Sequence, residues 1–227
     1  MTDQMAPDRL IERLRDGGVL PVVEIPDGID PIALVDALAT GGITGVEITL
    51  RTPGALAAIA AVRCDRPDVL VAAGTVRTPE EVDAAIDAGA TVLVSPGLSA
   101  RVLDRAAQRD TLVLPGVCTP TEIQMGLERG VRTFKFFPAE AAGGTRYLTA
   151  MRGPYPDIRF IPTGGIDASN LATYLALPNV LACGGSWMVA RSLLDASDLD
   201  AVRRLSAEAM AIVRQVRAWA AAGPPPG

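Results

Sequence analysis

Among 227 residues there is one lysine, Lys135, set against 20 arginines. It stands in VRTFKFFPAE between Phe134 and Phe136, with Phe137 following. An arginine could carry charge to a protein rim as well as a lysine can. What lysine adds is an amine that loses its proton when desolvated and then attacks a carbonyl carbon. The ordinary role of such a lysine is to snorkel its charge to water, but the contrast with 20 arginines favours the nucleophile. A second stretch, VEITLRT, places Glu47, Thr49 and Arg51 at alternate positions, hence on one face if the segment is a strand. A carboxylate there moves protons and a guanidinium grips an anion. The competing reading is an ion pair at the rim.

Other polar residues fall at the ends of apolar runs. AAGT brings Gly74, which permits close backbone approach, and the hydroxyl of Thr75. Thr78-Pro79 followed by Glu80 and Glu81 reads as a helix start, so Thr78 is a cap. Ser95 to Gly97 and Pro115 to Val117 read as turns. PTGGID and CGGSW supply Thr163, Gly164, Gly165, Gly184, Gly185 and Ser186, with Asp167 and Ser169 available to cap a following helix. Two glycine pairs on neighbouring strand tips suit phosphate, bound by backbone N–H groups and a helix N-terminus. Glu24 interrupts the apolar run PVVEI and is expected at a strand end near solvent, because an unpaired glutamate is rarely buried.

The composition narrows the chemistry. There is no histidine, which excludes Ser-His triads, histidine bases and His-ligated zinc. Cys64, Cys118 and Cys183 lie far apart, neither a disulfide framework nor a metal-finger spacing, and read as reduced thiols. A net charge of −5 argues against a general nucleic-acid or anionic-membrane surface. MTDQMAPDRLIERLRDGG is too polar for a secretory signal, and no apolar run reaches membrane-spanning length. The expectation is a cytoplasmic protein with no membrane and no nucleic-acid partner.

The elements that must position these residues alternate along the chain. Eight short apolar runs read as strands: VLPVVEI, TGVEITL, VLVAAGT, TVLVSPG, TLVLPGV, RTFKFFP, IRFIPTG and VLACGGS. Each is followed by a stretch with helical spacing, and glycines close several of these before the next strand. Strands apolar on both faces fit a parallel sheet buried on both sides. The pattern points to an α/β protein with a single-domain (β/α)8 TIM barrel over residues 1–220, with a doubly wound open sheet as the alternative. Residues 221–227, ending in GPPPG, are expected to be a disordered tail. In such a barrel, chemistry belongs at the C-terminal strand ends, where the polar residues above collect.

Taken in order, VEITLRT, AAGTV, SPGL, FKFFPAE, PTGGI and GGSW make the chain resemble the 2-keto-3-deoxy-6-phosphogluconate aldolases, a family that includes the 4-hydroxy-2-oxoglutarate aldolases. The likeness runs from about Pro21 to the final helix. It implies a class I aldolase on a (β/α)8 barrel, usually a homotrimer, needing no metal or other cofactor. Residue by residue, it implies that Lys135 forms the Schiff base and Glu47 is the general acid–base. Arg51 and Thr75 would hold the pyruvate carboxylate, and Thr163 would contact the aldehyde half. Gly164, Gly165, Gly185 and Ser186 would form the phosphate pocket. Glu24 departs from the aliphatic residue expected on the first strand. The implied reaction cleaves 2-keto-3-deoxy-6-phosphogluconate to pyruvate and glyceraldehyde 3-phosphate. Two alternatives stay open: cleavage of 4-hydroxy-2-oxoglutarate to pyruvate and glyoxylate, or a non-catalytic sugar-phosphate-binding barrel.

Overall fold

Local sequence starts the helices. Thr119 accepts a hydrogen bond from the Glu122 N–H, and the Glu122 carboxylate accepts from the Thr119 N–H, a capping box that opens α6 (Pro120–Leu127). Thr78 accepts from the Glu81 N–H to open α4 (Pro79–Asp87), as its Thr-Pro pair predicts. Proline at the first helical position forfeits only an N–H that the helix leaves unbonded. The computed structural model describes residues 6–222.

A helix that the sequence reading did not separate from the polar leading segment, α1 (Pro7–Gly17), comes first. Its signal was Leu10 and Leu14, four residues apart and therefore on one face. Strands and helices then alternate: β1 (Val19–Val23), α2 (Pro31–Thr40), β2 (Gly45–Thr49), α3 (Ala55–Asp65), β3 (Leu70–Gly74) and α4. They continue with β4 (Val92–Val94), α5 (Ala100–Gln108), β5 (Leu112–Leu114), β6 (Gly116–Val117), α6, β7 (Thr133–Phe136) and α7 (Gly144–Met151). The chain closes with β8 (Arg159–Pro162), α8 (Leu171–Leu175), β9 (Cys183–Gly185), α9 (Arg191–Asp195) and α10 (Leu199–Ala222). The tail expected from residue 221 falls outside the described residues from 223 onward; Ala221 and Ala222 belong to α10.

All strand pairs are parallel, in an α/β fold whose sheet curls. The strands form a six-stranded sheet, β5-β4-β3-β2-β1-β9, and a three-stranded sheet, β6-β7-β8. The expected fifth strand, TLVLPGV, is divided because Pro115 has no N–H for the ladder. Leu112 to Leu114 pair with β4, whereas Gly116 and Val117 pair with β7. The Pro115 carbonyl still accepts from the Lys135 N–H at 2.9 Å. At the far side, isolated pairs of Thr163 with Gly184 and Phe160 with Val180 bring β8 alongside β9. The ladder is thus parted at a proline, where the sequence pattern had suggested eight unbroken strands.

Two apolar layers hold the sheets. Leu20, Leu70, Val92, Val94, Leu114 and Ile161 cluster with Leu10 and Leu14 of α1. Val46, Ile48, Val71, Phe134, Phe136 and Phe160 face the helices instead. The period of 2 along each strand creates this division. On β2 it turns Val46 and Ile48 towards the helices and leaves Glu47 and Thr49 on the opposite face; on β7 it does the same for Phe134 and Phe136 against Lys135.

Candidate active site

Lys135 and Glu47 lie 88 positions apart in sequence, on strands of different sheets. The Lys135 Nζ donates to Glu47 Oε1 at 3.1 Å, and the two residues are only 7% and 2% exposed. Burying two charges is costly unless they are paired and hydrogen-bonded. This contact pairs them. The ring of Phe137 sits 5.4 Å from the same nitrogen, on the side that alternation assigns to Lys135. Space for the Glu47 carboxyl comes from Gly74 at the tip of β3: a Cβ there would lie 2.3 Å from Glu47 Oε1.

The two residues expected to grip a carboxylate sit at neighbouring strand ends. Thr75, the first residue past β3, has φ 62°, a backbone state that strains a β-branched side chain. Thr75 is half-buried. Arg51 is displaced from the place alternation gives it. The last ladder bond of this region runs from the Leu50 N–H to the Gly74 carbonyl, and Arg51 lies in the turn beyond it. Its side chain is 53% exposed, at the rim and not in the interior, and its Nε pairs with Glu24 Oε2 at 3.3 Å. Extrapolating a strand's period past the strand's end caused the difference. Glu24 itself stands where expected, just past β1 and partly solvated.

Thr49 carries a connection that the sequence reading did not identify. It is 1% exposed; its hydroxyl donates to the Val23 carbonyl at 3.1 Å and accepts from Arg51 Nε at 3.4 Å. The hint was its place between Glu47 and Arg51 on one face, but its partner depends on the register of β1 against β2.

The glycine-rich tips lie together. Thr163 is 7% exposed beside Gly184, whose Cβ would fall 2.3 Å from Thr163 Oγ1. Gly164 and Gly165 both take positive φ, and a Cβ on Gly165 would strike Glu140 Cγ at 2.7 Å. Glu140, at the end of FKFFPAE, also accepts from the Tyr174 hydroxyl. Burial first, and then that bond, push the Tyr174 phenol well above its ordinary range. Gly185 lies under Trp187, with Ser186 exposed next to it. Asp167 and Ser169 do not cap α8. Asp167 accepts from the Ser169 N–H, and Asn170 Nδ2 donates to the Gly165 carbonyl, so both residues lock the loop before a five-residue helix. Among the described residues no group of three or more His, Cys, Asp and Glu side chains is placed to hold a metal ion.

A family model described as KDPG and KHG aldolase matches residues 10–205. The chain belongs to that family. A 2-dehydro-3-deoxy-phosphogluconate aldolase of Haemophilus influenzae is 41% identical over 206 residues, 91% of this chain and 97% of the relative. One from Pseudomonas aeruginosa is 45% identical over 196 residues, 86% of this chain and 89% of its own. Among solved structures, a KDPG aldolase of Legionella pneumophila, with pyruvate captured as a covalent carbinolamine, superposes with a TM-score of 0.84 at 38% identity. That match covers 87% of this chain and 96% of the other.

Proposed function

We propose that this chain is a class I aldolase that cleaves 2-keto-3-deoxy-6-phosphogluconate to pyruvate and glyceraldehyde 3-phosphate. The observation that carries the reading is the buried Lys135–Glu47 contact at 3.1 Å. Transfer of a proton to Glu47 frees the amine, which adds to the C2 ketone to give a carbinolamine. Protonated Glu47 gives its proton to the carbinolamine hydroxyl, which leaves as water and yields a protonated imine, an electron sink for the C3–C4 bond. Ionised Glu47 takes the C4 hydroxyl proton, the bond breaks, the aldehyde departs, and pyruvate remains as an enamine. Glu47 returns the proton to C3, and hydrolysis of the imine releases pyruvate and the lysine.

Arg51 and Thr75 hold the C1 carboxylate and so set the imine plane. Thr163 meets the aldehyde half, and Gly164, Gly165, Gly185 and Ser186 take the phosphate. No cofactor or metal enters these steps. The curled parallel strands are read as one closed (β/α)8 barrel over residues 1–220, supported by the pairs that bridge β8 to β9 and by the Pro115 carbonyl bond to β7. The family likeness supports a homotrimer, which light scattering would report as three copies of the 23.6 kDa chain. It also supports a cytoplasmic location.

The test is borohydride reduction with pyruvate, followed by tryptic mapping. The expected product is a pyruvyl adduct on the peptide from Thr133 to Arg146, left uncut at Lys135; no adduct there refutes the assignment. Comparing cleavage with that of 4-hydroxy-2-oxoglutarate, which lacks phosphate, measures what the glycine-rich tips contribute. A sugar-phosphate-binding role without turnover would leave the Lys135–Glu47 contact without a purpose.

A further inference from the structure

The pair of Glu24 and Arg51 stands apart from the catalytic contact and has no step in the cleavage. Arg51 Nε lies 3.3 Å from Glu24 Oε2, and the same nitrogen donates to Thr49 Oγ1 at 3.4 Å. The two terminal nitrogens of the guanidinium have no partner among the described residues. The fork that would take a carboxylate in two parallel bonds is therefore open, with a fixed carboxylate already at its flank. Glu24 follows Val23, which pairs with Ile48 across the β1–β2 ladder. Glu24 leaves β1 directly after that pair and Arg51 leaves β2 two residues after Thr49, so both emerge at neighbouring strand ends, where they meet.

We propose that Glu24 is an affinity-tuning residue that competes with the substrate carboxylate for Arg51, weakening the hold on 2-keto acids such as pyruvate. The inference rests on Arg51 as the carboxylate grip of the proposed aldolase.

Two effects of Glu24 oppose each other. As a tether it could steady the guanidinium, and its loss would weaken anion binding. As a charge it repels any second carboxylate brought to the same guanidinium, and its loss would tighten binding. The tether is the smaller effect. Thr49, buried and anchored on the Val23 carbonyl, still accepts from Nε when Glu24 is gone. A half-exposed ion pair adds little to positioning. The repulsion between like charges across one guanidinium persists whatever the side-chain rotamers, and only salt diminishes it. Every 2-keto acid that presents this carboxylate bears the same cost, and the small product, with no phosphate to hold it, is the one released fastest.

The experiment titrates pyruvate in the borohydride trapping of Lys135, for the wild type, Glu24→Gln and Glu24→Val. Both variants should lower the half-saturating pyruvate concentration by about 3- to 10-fold at low salt. The gap should close near 1 M sodium chloride, where the screening length is about 3 Å. An adduct in the wild type with half-saturation unmoved or raised in Glu24→Gln overturns the inference and leaves the aldolase reading intact. A shift in Glu24→Val alone would assign the effect to shape and overturn it too. No adduct on wild-type Lys135 refutes the aldolase reading itself.

Discussion

One amine distinguishes Lys135 from every arginine in the chain, and the proposed mechanism turns on that difference. Lys135→Arg retains the charge beside Glu47 but cannot form an imine, so cleavage is expected to vanish, with no adduct on reduction. Glu47→Gln keeps the shape and removes the proton carrier. The adduct should still form there, while steady-state cleavage falls by roughly 100-fold or more; an unchanged rate would take Glu47 out of the proton path. Thr75 is a different case, because its φ of 62° stores backbone strain of about 1–3 kcal/mol. Thr75→Gly should relieve that strain and leave the melting temperature no lower than the wild type. The same variant should bind pyruvate more weakly for want of the hydroxyl. Thr75→Val retains the strain and shape without the hydroxyl, so equal pyruvate affinity in Val and Thr forms would exclude the carboxylate role.

At the level of helices and strands, stability depends on short local devices. The capping box of Thr119 and Glu122 supplies three hydrogen bonds to the start of α6. Thr119→Ala should cost about 1 kcal/mol in denaturant unfolding. The Thr78 cap was read from its Thr-Pro pair, whereas the box in CTPTE, which carries the same signature, was not singled out. The alternation that puts Glu47 inward and Val46 and Ile48 outward was equally plain, because a period of 2 has only two faces. Lys135 was legible for another reason: it is chemically unlike its 20 fellow cations. Less visible were features set by neighbouring strands. The division at Pro115 depends on which strand each half pairs with, and Arg51 leaves its strand where the ladder with β3 stops. Thr49 gains its partners only through the β1–β2 register. The loop lock by Asp167 and Ser169 looked like a helix cap because the same side-chain bonds serve both.

Across the whole molecule, arginine–carboxylate contacts lace the outer surface. Hydrogen bonding to Arg105, then Arg109, holds Asp83 below its ordinary 3.8, and hydrogen bonding to Arg66 does so for Asp68. Asp167 is lowered by its bonds to Ser169. A depressed carboxylate pKa stabilises the folded state fully above the unfolded value, and the benefit is lost as pH falls through the folded value. Thermal midpoints should thus be level above about pH 5 and decline below about pH 4. Asp83→Asn should flatten that acid decline slightly, because these groups are exposed and screened; an unaltered slope would remove Asp83 from it.

The solitary lysine, 7% exposed, has a practical result beyond catalysis. Lys135 carries the one side-chain amine in the chain, so once the terminal α-amine is blocked, a carbonyl dye fixed by hydride reduction would stain this site and leave the rest of the protein blank. Colour per mole of chain would then count how many copies in a preparation are alive.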